Sequence, residues 1–195
     1  MGKFKKNETS IEGVYVIEPT VFGDERGYFM ETYSETEFAE IGINNKFVQD
    51  NQSKSRKGVL RGLHFQKQNS QAKLVRVIKG AVYDVAVDLR PGSPTYGKYE
   101  GVMLTEENKK MFMIPRGFAH GFLVVSDEAE FAYKCDDIYN HEAEGGLAWN
   151  DPEVGIEWPL GDMKITELLT SEKDAKWPSL KELKETDLFS KYRIN

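Results

Sequence analysis

Apolar and polar residues alternate in short runs along most of the chain, and glycine, proline or asparagine separates one run from the next. A period of two is typical of a β-strand with one buried face. About nine such runs occur, which is enough for two facing antiparallel sheets in a sandwich or barrel. They lie at residues 14–17, 47–51, 59–67, 74–78, 81–89, 100–104, 111–114, 118–125 and 130–135.

The run AVYDVAVDL at residues 81–89 is the clearest of these patterns. Asp84 and Asp88 lie on one face, and the opposite face is apolar, with Ala81, Tyr83, Val85, Val87 and Leu89. This alternation predicts a half-buried strand whose second face is polar.

Helix is predicted only in short pieces. Ser34 and Glu37 have the spacing of a capping box, and Gly42 follows where a glycine would end about two turns. Leucines among charges predict a surface helical tail at residues 179–192. We expect one domain over residues 1–195, with residues 1–12 as an N-terminal extension whose lysines form a solvated tail.

Composition narrows the class of protein. The chain has 195 residues, 39% of them hydrophobic, and a net charge of −6, which argues against a nucleic-acid binder. The single cysteine, Cys135, is expected in the core. No run reaches the ~18 apolar residues of a membrane span, and the polar start lacks a secretory signal. We therefore expect a cytoplasmic protein that does not bind a membrane.

Two of the three histidines lie in predicted strands, His64 in RGLHFQ and His120 in PRGFAH. The spacing of Pro115, Gly117 and His120 resembles the second motif of the cupin superfamily, whose members often use this histidine as a metal ligand. A mononuclear site needs three or four ligands. The region HFQKQ after His64 lacks the second histidine and the carboxylate, so we expect no metal.

Without a metal, His64 is better suited to proton transfer near neutral pH. Three cations in or beside strands, Arg26, Arg61 and Lys73, suit a diphosphate, because guanidinium groups form paired contacts with phosphate oxygens. The glycine-rich motifs of ATP and nicotinamide sites are missing, so neither chemistry is indicated.

Several ordered motifs together resemble the dTDP-4-dehydrorhamnose 3,5-epimerase family. They are FGDERGYFME (22–31), QDN (49–51), RGLHFQ (61–66), Lys73, PRGFAHGF (115–122), FAYK (131–134), WNDPEVGIEWP (149–159) and SEKDA (171–175). The resemblance spans about residues 13–178. It implies an all-β, cupin-like jelly roll (a double-stranded β-helix), a homodimer that exchanges strands, and no metal or organic cofactor.

The resemblance also implies a reaction. The substrate, dTDP-4-dehydro-6-deoxyglucose, carries a ketone at C4 that acidifies the hydrogens on C3 and C5, and inversion gives dTDP-4-dehydro-L-rhamnose for dTDP-L-rhamnose biosynthesis. His64 corresponds to the family's base and Asp174 to the carboxylate that orients it. Lys73 corresponds to the cation near the C4 oxygen, and Tyr133 to the acid on the opposite face.

Binding residues follow from the same resemblance, with Arg26 and Glu31 reaching into the partner subunit's site. Tyr139 corresponds to the residue that stacks on thymine, and Ile138 stands where many members carry a second aromatic residue beside it. His141 matches no functional residue of the family, and we expect it in a surface loop. The implied binding set is Arg26, Glu31, Gln49, Asp50, Asn51, Arg61, His120, Tyr139, Glu144 and Lys173.

Four alternatives remain open on the sequence. They are an epimerase acting at C3 or C5 only, a cupin that moves the ketone between C3 and C4, a sugar-nucleotide-binding protein without activity, and a metal-dependent dioxygenase. An acid and a base together favour catalysis over binding alone.

The segment VLRGLHFQK poses a geometric problem. Strict alternation directs Arg61 and His64 to opposite faces of a strand, yet the reaction needs both at one ligand. We predict a bulge or bend at Gly62, because glycine tolerates the backbone conformation that this requires.

Overall fold

The computed structural model describes residues 2–183, which form an almost entirely β structure. Its strands are β1 (Phe4–Glu8), β2 (Tyr15–Pro19), β3 (Val21–Asp24), β4 (Gly27–Met30), β5 (Gln49–Arg56), β6 (Leu60–Gln66), β7 (Lys73–Lys79), β8 (Ala81–Asp88), β9 (Tyr99–Thr105), β10 (Met111–Ile114), β11 (Phe118–Val124), β12 (Glu128–Cys135) and β13 (Glu144–Gly146). One α-helix, α1 (Glu35–Glu40), and two 3₁₀ turns, His141–Ala143 and Asp174–Lys176, complete this part of the chain. Within residues 2–183 no helix has the length and apolar character to cross a bilayer.

Two antiparallel sheets form the body of the molecule. The six-stranded sheet has the order β1-β2-β10-β7-β12-β5, and the five-stranded sheet has the order β13-β6-β11-β8-β9. Apart from the pairs β1–β2 and β8–β9, neighbouring strands are not consecutive in sequence, as in a jelly roll, and the predicted all-β class is confirmed. Strands β3 and β4 form a separate hairpin.

The main core lies between the two sheets. Phe112 and Phe131 of the six-stranded sheet pack in one cluster with Val82 and Phe122 of the other, and all are at least 95% buried. Phe122 and Phe131 stack with their ring centroids 4.1 Å apart. Since burying one such side chain contributes about 1.5–3 kcal/mol, this cluster holds the sheets together and sets the width of the barrel.

Strand β8 corrects the prediction of a half-buried strand, because both of its faces are buried. Val82, Asp84 and Ala86 point into the barrel, and Asp84 and Asp88 are completely buried. The outer face packs under residues 147–183, which supply Leu147, Val154, Trp158, Leu180 and Leu183. The polar face predicted for this strand therefore faces the interior.

The N-terminal segment also differs from the prediction of a solvated tail. Strand β1 pairs with β2 over five residues, from Phe4 opposite Pro19 to Glu8 opposite Tyr15. Phe4 is 5% exposed and packs edge-on against Phe38 of α1, with ring centroids 4.8 Å apart. The segment is an edge strand of the six-stranded sheet.

Helix α1 begins as predicted. The Ser34 hydroxyl accepts a hydrogen bond from the Glu37 N–H, and Gly42 has a φ of +82° just after the helix. Of the predicted tail helix at 179–192, residues 184–192 lie outside the described residues. Ser179 begins a single turn, in which its carbonyl accepts from the Leu183 N–H.

Candidate active site

Strand β6 contains the irregularity predicted at Gly62. Opposite β11, the pairing shifts between His64–His120 and Arg61–Phe122, so that β6 has one extra residue there. Gly62 has a φ of +126°, which is a region almost restricted to glycine. Arg61 and His64 consequently line one cavity of about 580 Å³. The predicted bulge is confirmed.

His64 is hydrogen-bonded to Asp174, which the 3₁₀ turn Asp174–Lys176 brings to the end of β6. The distance from His64 Nε2 to Asp174 Oδ1 is 2.7 Å. Gly62 N–H donates to Oδ2 of the same carboxylate at 3.3 Å, and the indole N–H of Trp177 donates to Oδ1 at 3.2 Å. The Asp174 N–H in turn donates to Ser171 Oγ at 3.0 Å.

The environment keeps this carboxylate ionised. Burial acts to raise the pKa of Asp174, but the hydrogen bonds from His64, Gly62 and Trp177 outweigh it and hold the pKa below its ordinary value. An ionised carboxylate accepts a hydrogen bond from the Nε2–H of His64, which leaves Nδ1 free to take up a proton from a ligand. The pair therefore has the geometry of an oriented general base.

A second histidine–carboxylate pair lies inside the barrel. His120 Nε2 is 2.9 Å and 3.1 Å from the two carboxylate oxygens of Asp84. Burial lowers the pKa of His120 and raises that of Asp84. The sequence pattern assigned Asp84 to an outward face, so this partner of His120 was missed. Among residues 2–183, no three His, Cys, Asp or Glu side chains are grouped so as to hold a metal ion.

Lys73 and Tyr133 come from neighbouring strands of the opposite sheet. Tyr133 pairs with Val75, and Cys135 pairs with Lys73, across β12 and β7. Burial lowers the pKa of Lys73, and the nearby Cys135, Asp84 and Glu144 oppose this effect. Burial raises the pKa of Tyr133, so its phenol remains protonated at neutral pH. Cys135 is fully buried, as predicted, and burial raises its pKa to about 11.

A chain of polar contacts borders this region. Lys173 Nζ is 2.7 Å from Glu144 Oε1, and the Tyr139 hydroxyl donates to Glu144 Oε2 at 3.3 Å. The Tyr139 N–H donates to Gln49 Oε1 at 3.0 Å, and Gln49 donates to Asn51 at 3.1 Å. The Tyr139 ring is left 51% exposed, and an aromatic ligand could stack on it.

Gln66 fixes the loop that carries Tyr139, and the sequence analysis gave it no role. Its amide nitrogen donates to the carbonyls of Asn69 and Ile138, at 2.7 and 3.3 Å, and its amide oxygen accepts from the Asn140 N–H at 2.7 Å. Gln66 is 5% exposed and lies two residues after His64 on the same strand. Strand β6 thus links the His64 pair to the Tyr139 loop.

Three predicted binding residues do not join the His64 group within this chain. Arg26 lies at the tip of the β3–β4 hairpin, where its guanidinium pairs with Asp24. Glu31 pairs with Lys3 at 2.5 Å. Asp50 points to the other face of β5 from Asn51 and pairs with Lys134 at 2.8 Å, so its placement in the site has no support from this chain alone.

Comparisons with known proteins agree with this arrangement. The sequence model of the dTDP-4-dehydrorhamnose 3,5-epimerase family matches residues 8–182. A curated protein of that name from Methanothermobacter thermautotrophicus is 53% identical over 182 residues, covering 93% of this chain and 97% of its own. A solved Legionella pneumophila 3,5-epimerase in complex with dTDP-4-keto-L-rhamnose superposes with a TM-score of 0.92 at 48% identity, covering 97% of this chain and 99% of that one.

A more distant solved structure is a 3'-monoepimerase from Streptomyces bikiniensis in complex with dTDP-quinovose. It is 32% identical, with a TM-score of 0.82, and covers 90% of this chain and 87% of that one. The match over nearly the whole length, together with the oriented His64–Asp174 pair, shows that the chain belongs to the dTDP-4-dehydrorhamnose 3,5-epimerase family.

Proposed function

We propose that this chain inverts C3 and C5 of dTDP-4-dehydro-6-deoxyglucose by proton transfer and forms dTDP-4-dehydro-L-rhamnose for dTDP-L-rhamnose biosynthesis. The observation that carries the proposal is the 2.7 Å contact between His64 and the buried Asp174 at the cavity shared with Arg61. The C4 ketone of the substrate lets the electrons left by a removed proton spread onto oxygen. The reaction therefore needs a base, an acid and a charge stabiliser, and no cofactor.

His64 removes the proton in this proposal. Asp174 holds Nε2–H, so Nδ1 is the basic atom, and the carboxylate stabilises the imidazolium that forms. Lys73 faces the C4 oxygen, where its ammonium stabilises the negative charge of the enolate. Lys73 is partly buried, which strengthens that interaction, because charges attract more strongly away from water.

Tyr133 returns a proton to the opposite face of the sugar. A base that gave its proton back to the same face would regenerate the starting sugar, so inversion requires a second group. The raised pKa of Tyr133 keeps the phenol protonated, and its strand β12 lies in the sheet opposite β6. His120, fixed by Asp84, contacts the sugar between these two groups.

The polar border binds the nucleotide. Arg61 and Lys173 line the same cavity as His64 and attract the diphosphate. The half-exposed ring of Tyr139 stacks on thymine, and Gln49, Asn51 and Glu144 complete the contacts. The solved Legionella relative carries dTDP-4-keto-L-rhamnose, which supports a dTDP-sugar as the ligand of this chain.

The active form is a homodimer that exchanges strands, and we expect it to work in the cytoplasm. The β3–β4 hairpin exposes Phe22, Tyr28 and Phe29, at 58%, 56% and 65%. Exposed aromatic clusters of this kind mark interaction surfaces. Strand β5 is a free edge of the six-stranded sheet within the described chain and can receive a strand of the partner subunit. Arg26 and Glu31, which stand apart from His64 here, would then enter the partner's site.

Complementation tests the dimer. His64→Ala and Arg26→Ala should each be nearly inactive alone, and unfolding and refolding them together should restore activity. A mixed dimer has one site with both residues, and half of randomly paired dimers are mixed, so about a quarter of the wild-type activity is expected. No recovery on mixing, despite exchange of subunits, would mean that Arg26 does not act in the partner's site.

His64→Ala tests the function itself. Turnover of dTDP-4-dehydro-6-deoxyglucose should fall by at least about 1,000-fold, because the base is lost. The dissociation constant for dTDP, measured by calorimetry, should stay within about threefold, because the base acts on the sugar. Full turnover by the variant, or failure of the wild type to turn over this substrate, would refute the proposal.

A further inference from the structure

Trp177 contacts both members of the His64–Asp174 pair and also the neighbouring Gly146. Its indole N–H donates to Asp174 Oδ1, the same oxygen that faces His64. Its ring stands edge-on to the imidazole, with centroids 6.2 Å apart and an interplanar angle of 75°. It also lies against Gly146, where an added Cβ would be 2.1 Å from indole Cδ2. Because Gly146 pairs with His64 in the sheet, the indole is held beside the base.

The Asp174 carboxylate receives three donors, and only one of them is the base. Gly62 N–H binds Oδ2, while Trp177 and His64 share Oδ1. Asp174 sits on a single 3₁₀ turn, whose own hydrogen bonds fix little beyond the backbone. The side chain is therefore oriented by the groups that donate to it, and Trp177 is the only side-chain donor to it besides His64 among residues 2–183.

We propose that Trp177 is a positioning residue, which orients the Asp174 carboxylate through its indole N–H and thereby fixes the tautomer and direction of His64. The inference rests on the proposed epimerase function. A carboxylate held by two fixed donors, Gly62 and Trp177, presents Oδ1 to Nε2–H in one geometry. Without the indole donor the carboxylate can rotate, and His64 spends less time with Nδ1 directed at the substrate.

Trp177→Phe tests this role because it keeps an aromatic ring on Gly146 and removes the N–H. Both kcat and the rate of deuterium exchange into bound substrate should fall about tenfold, the order expected when a hydrogen bond to an ionised group is lost. The KM and the dissociation constant for dTDP should stay within about twofold, because the substitution keeps an aromatic ring below Lys173 Nζ and removes only the N–H.

Trp158→Phe is the matched control. Trp158 lies in the same C-terminal segment, and its indole N–H donates to the Trp149 carbonyl at 2.9 Å. The Trp158→Phe variant therefore also loses one indole hydrogen bond. It should retain wild-type kcat and KM. Unchanged kcat in Trp177→Phe, equal losses in the two variants, or a loss confined to KM would each overturn the proposal.

A spectroscopic measurement needs no variant at Trp177. In ¹⁵N-labelled His64→Ala, the indole N–H peak of Trp177 should move relative to wild type, because both groups donate to Asp174 Oδ1, and the Trp158 peak should stay in place. An unmoved Trp177 peak would contradict the shared oxygen. If the wild type lacked epimerase activity, the proposed function would fail, whereas this measurement would still test the contact.

Discussion

Replacing Gly62 by alanine perturbs the close approach of β6 and β11 beside the site. A Cβ at Gly62 would lie 2.6 Å from Gly121 Cα and 2.9 Å from the His120 carbonyl oxygen. Both neighbours are backbone atoms, so the strands themselves must move, at a cost of about 1–3 kcal/mol. The φ of +126° adds a further cost of about 1–3 kcal/mol for a residue with a side chain. We expect Gly62→Ala to lower the free energy of unfolding by the sum of these costs, about 2–6 kcal/mol.

Gly92→Ala separates the two costs. Gly92 has a φ of +79°, and an added Cβ there would meet nothing within 4 Å. This variant keeps only the backbone cost, about 1 kcal/mol. Urea unfolding at one protein concentration measures the free energy of unfolding of both variants. In thermal unfolding, the melting temperature of Gly62→Ala should fall by about 10 °C.

Activity gives the second readout for the same change. Movement of β6 displaces the Gly62 N–H from Asp174 and alters the spacing of Arg61 and His64, so the folded variant should lose at least about tenfold in kcat/KM. Gly92→Ala should remain as active as wild type. Equal stability of the two variants, or full activity of Gly62→Ala, would refute the view that Gly62 allows the bend that brings Arg61 and His64 to one cavity.

Three further changes test separate parts of the account. Tyr133→Phe should still allow deuterium exchange at the carbon that His64 deprotonates, with net inversion reduced at least about 100-fold; loss of exchange as well would mean that Tyr133 does more than deliver a proton. Glu144→Gln removes the ion pair with Lys173, so KM and the dissociation constant for dTDP should rise about fivefold with kcat nearly unchanged, whereas the exposed Glu142→Gln should match wild type. Asp88 is fully buried, and although burial raises its pKa, hydrogen bonds from Arg90, Ser93 and Thr95 hold the pKa below 3.8. The stability that Asp88 contributes is therefore present above pH 3.8 and is lost as the pH falls through the folded pKa. Asp88→Asn should lose stability at pH 7 and lose less than wild type on acidification, and identical pH dependences in urea unfolding would contradict this.

The strands of the two sheets were the most predictable part of the fold. Period-two alternation located β10 at Met111–Ile114, and it located β2, β6 to β9, β11 and β12 to within two residues. It ended β5 too early, at Asn51 instead of Arg56. It misassigned β8 because alternation does not show what covers each face. Residues 147–183, far along the chain, bury the apolar face, and the polar face lies inside the barrel. Strands β1, β3, β4 and β13 were missed, since they are short and carry charges, glycines or exposed aromatic residues.

The site was predictable only in part from the residues themselves. The chemistry of His64 and the bend at Gly62 follow from local sequence, but the contact with Asp174 joins residues 110 positions apart and was suggested only by family resemblance. Asp84 and Gln66 escaped notice for the same reason, because their partners lie in other strands and loops. Trp177 lies only three residues from its partner, but Asp174 itself was suggested only by resemblance. The roles proposed for Arg26 and Glu31 require a partner subunit, since both lie apart from His64 within one chain.

Replacement of the hydrogens on C3 and C5 of the sugar by deuterium from the solvent tests the central claim most directly. Wild-type protein is incubated with dTDP-4-dehydro-6-deoxyglucose in deuterated water, and the product sugar is analysed by NMR. The account predicts deuterium at both C3 and C5 with inverted configuration at each, and none of this in His64→Ala. Label and inversion at only one carbon, or exchange at both carbons in the absence of His64, would contradict it.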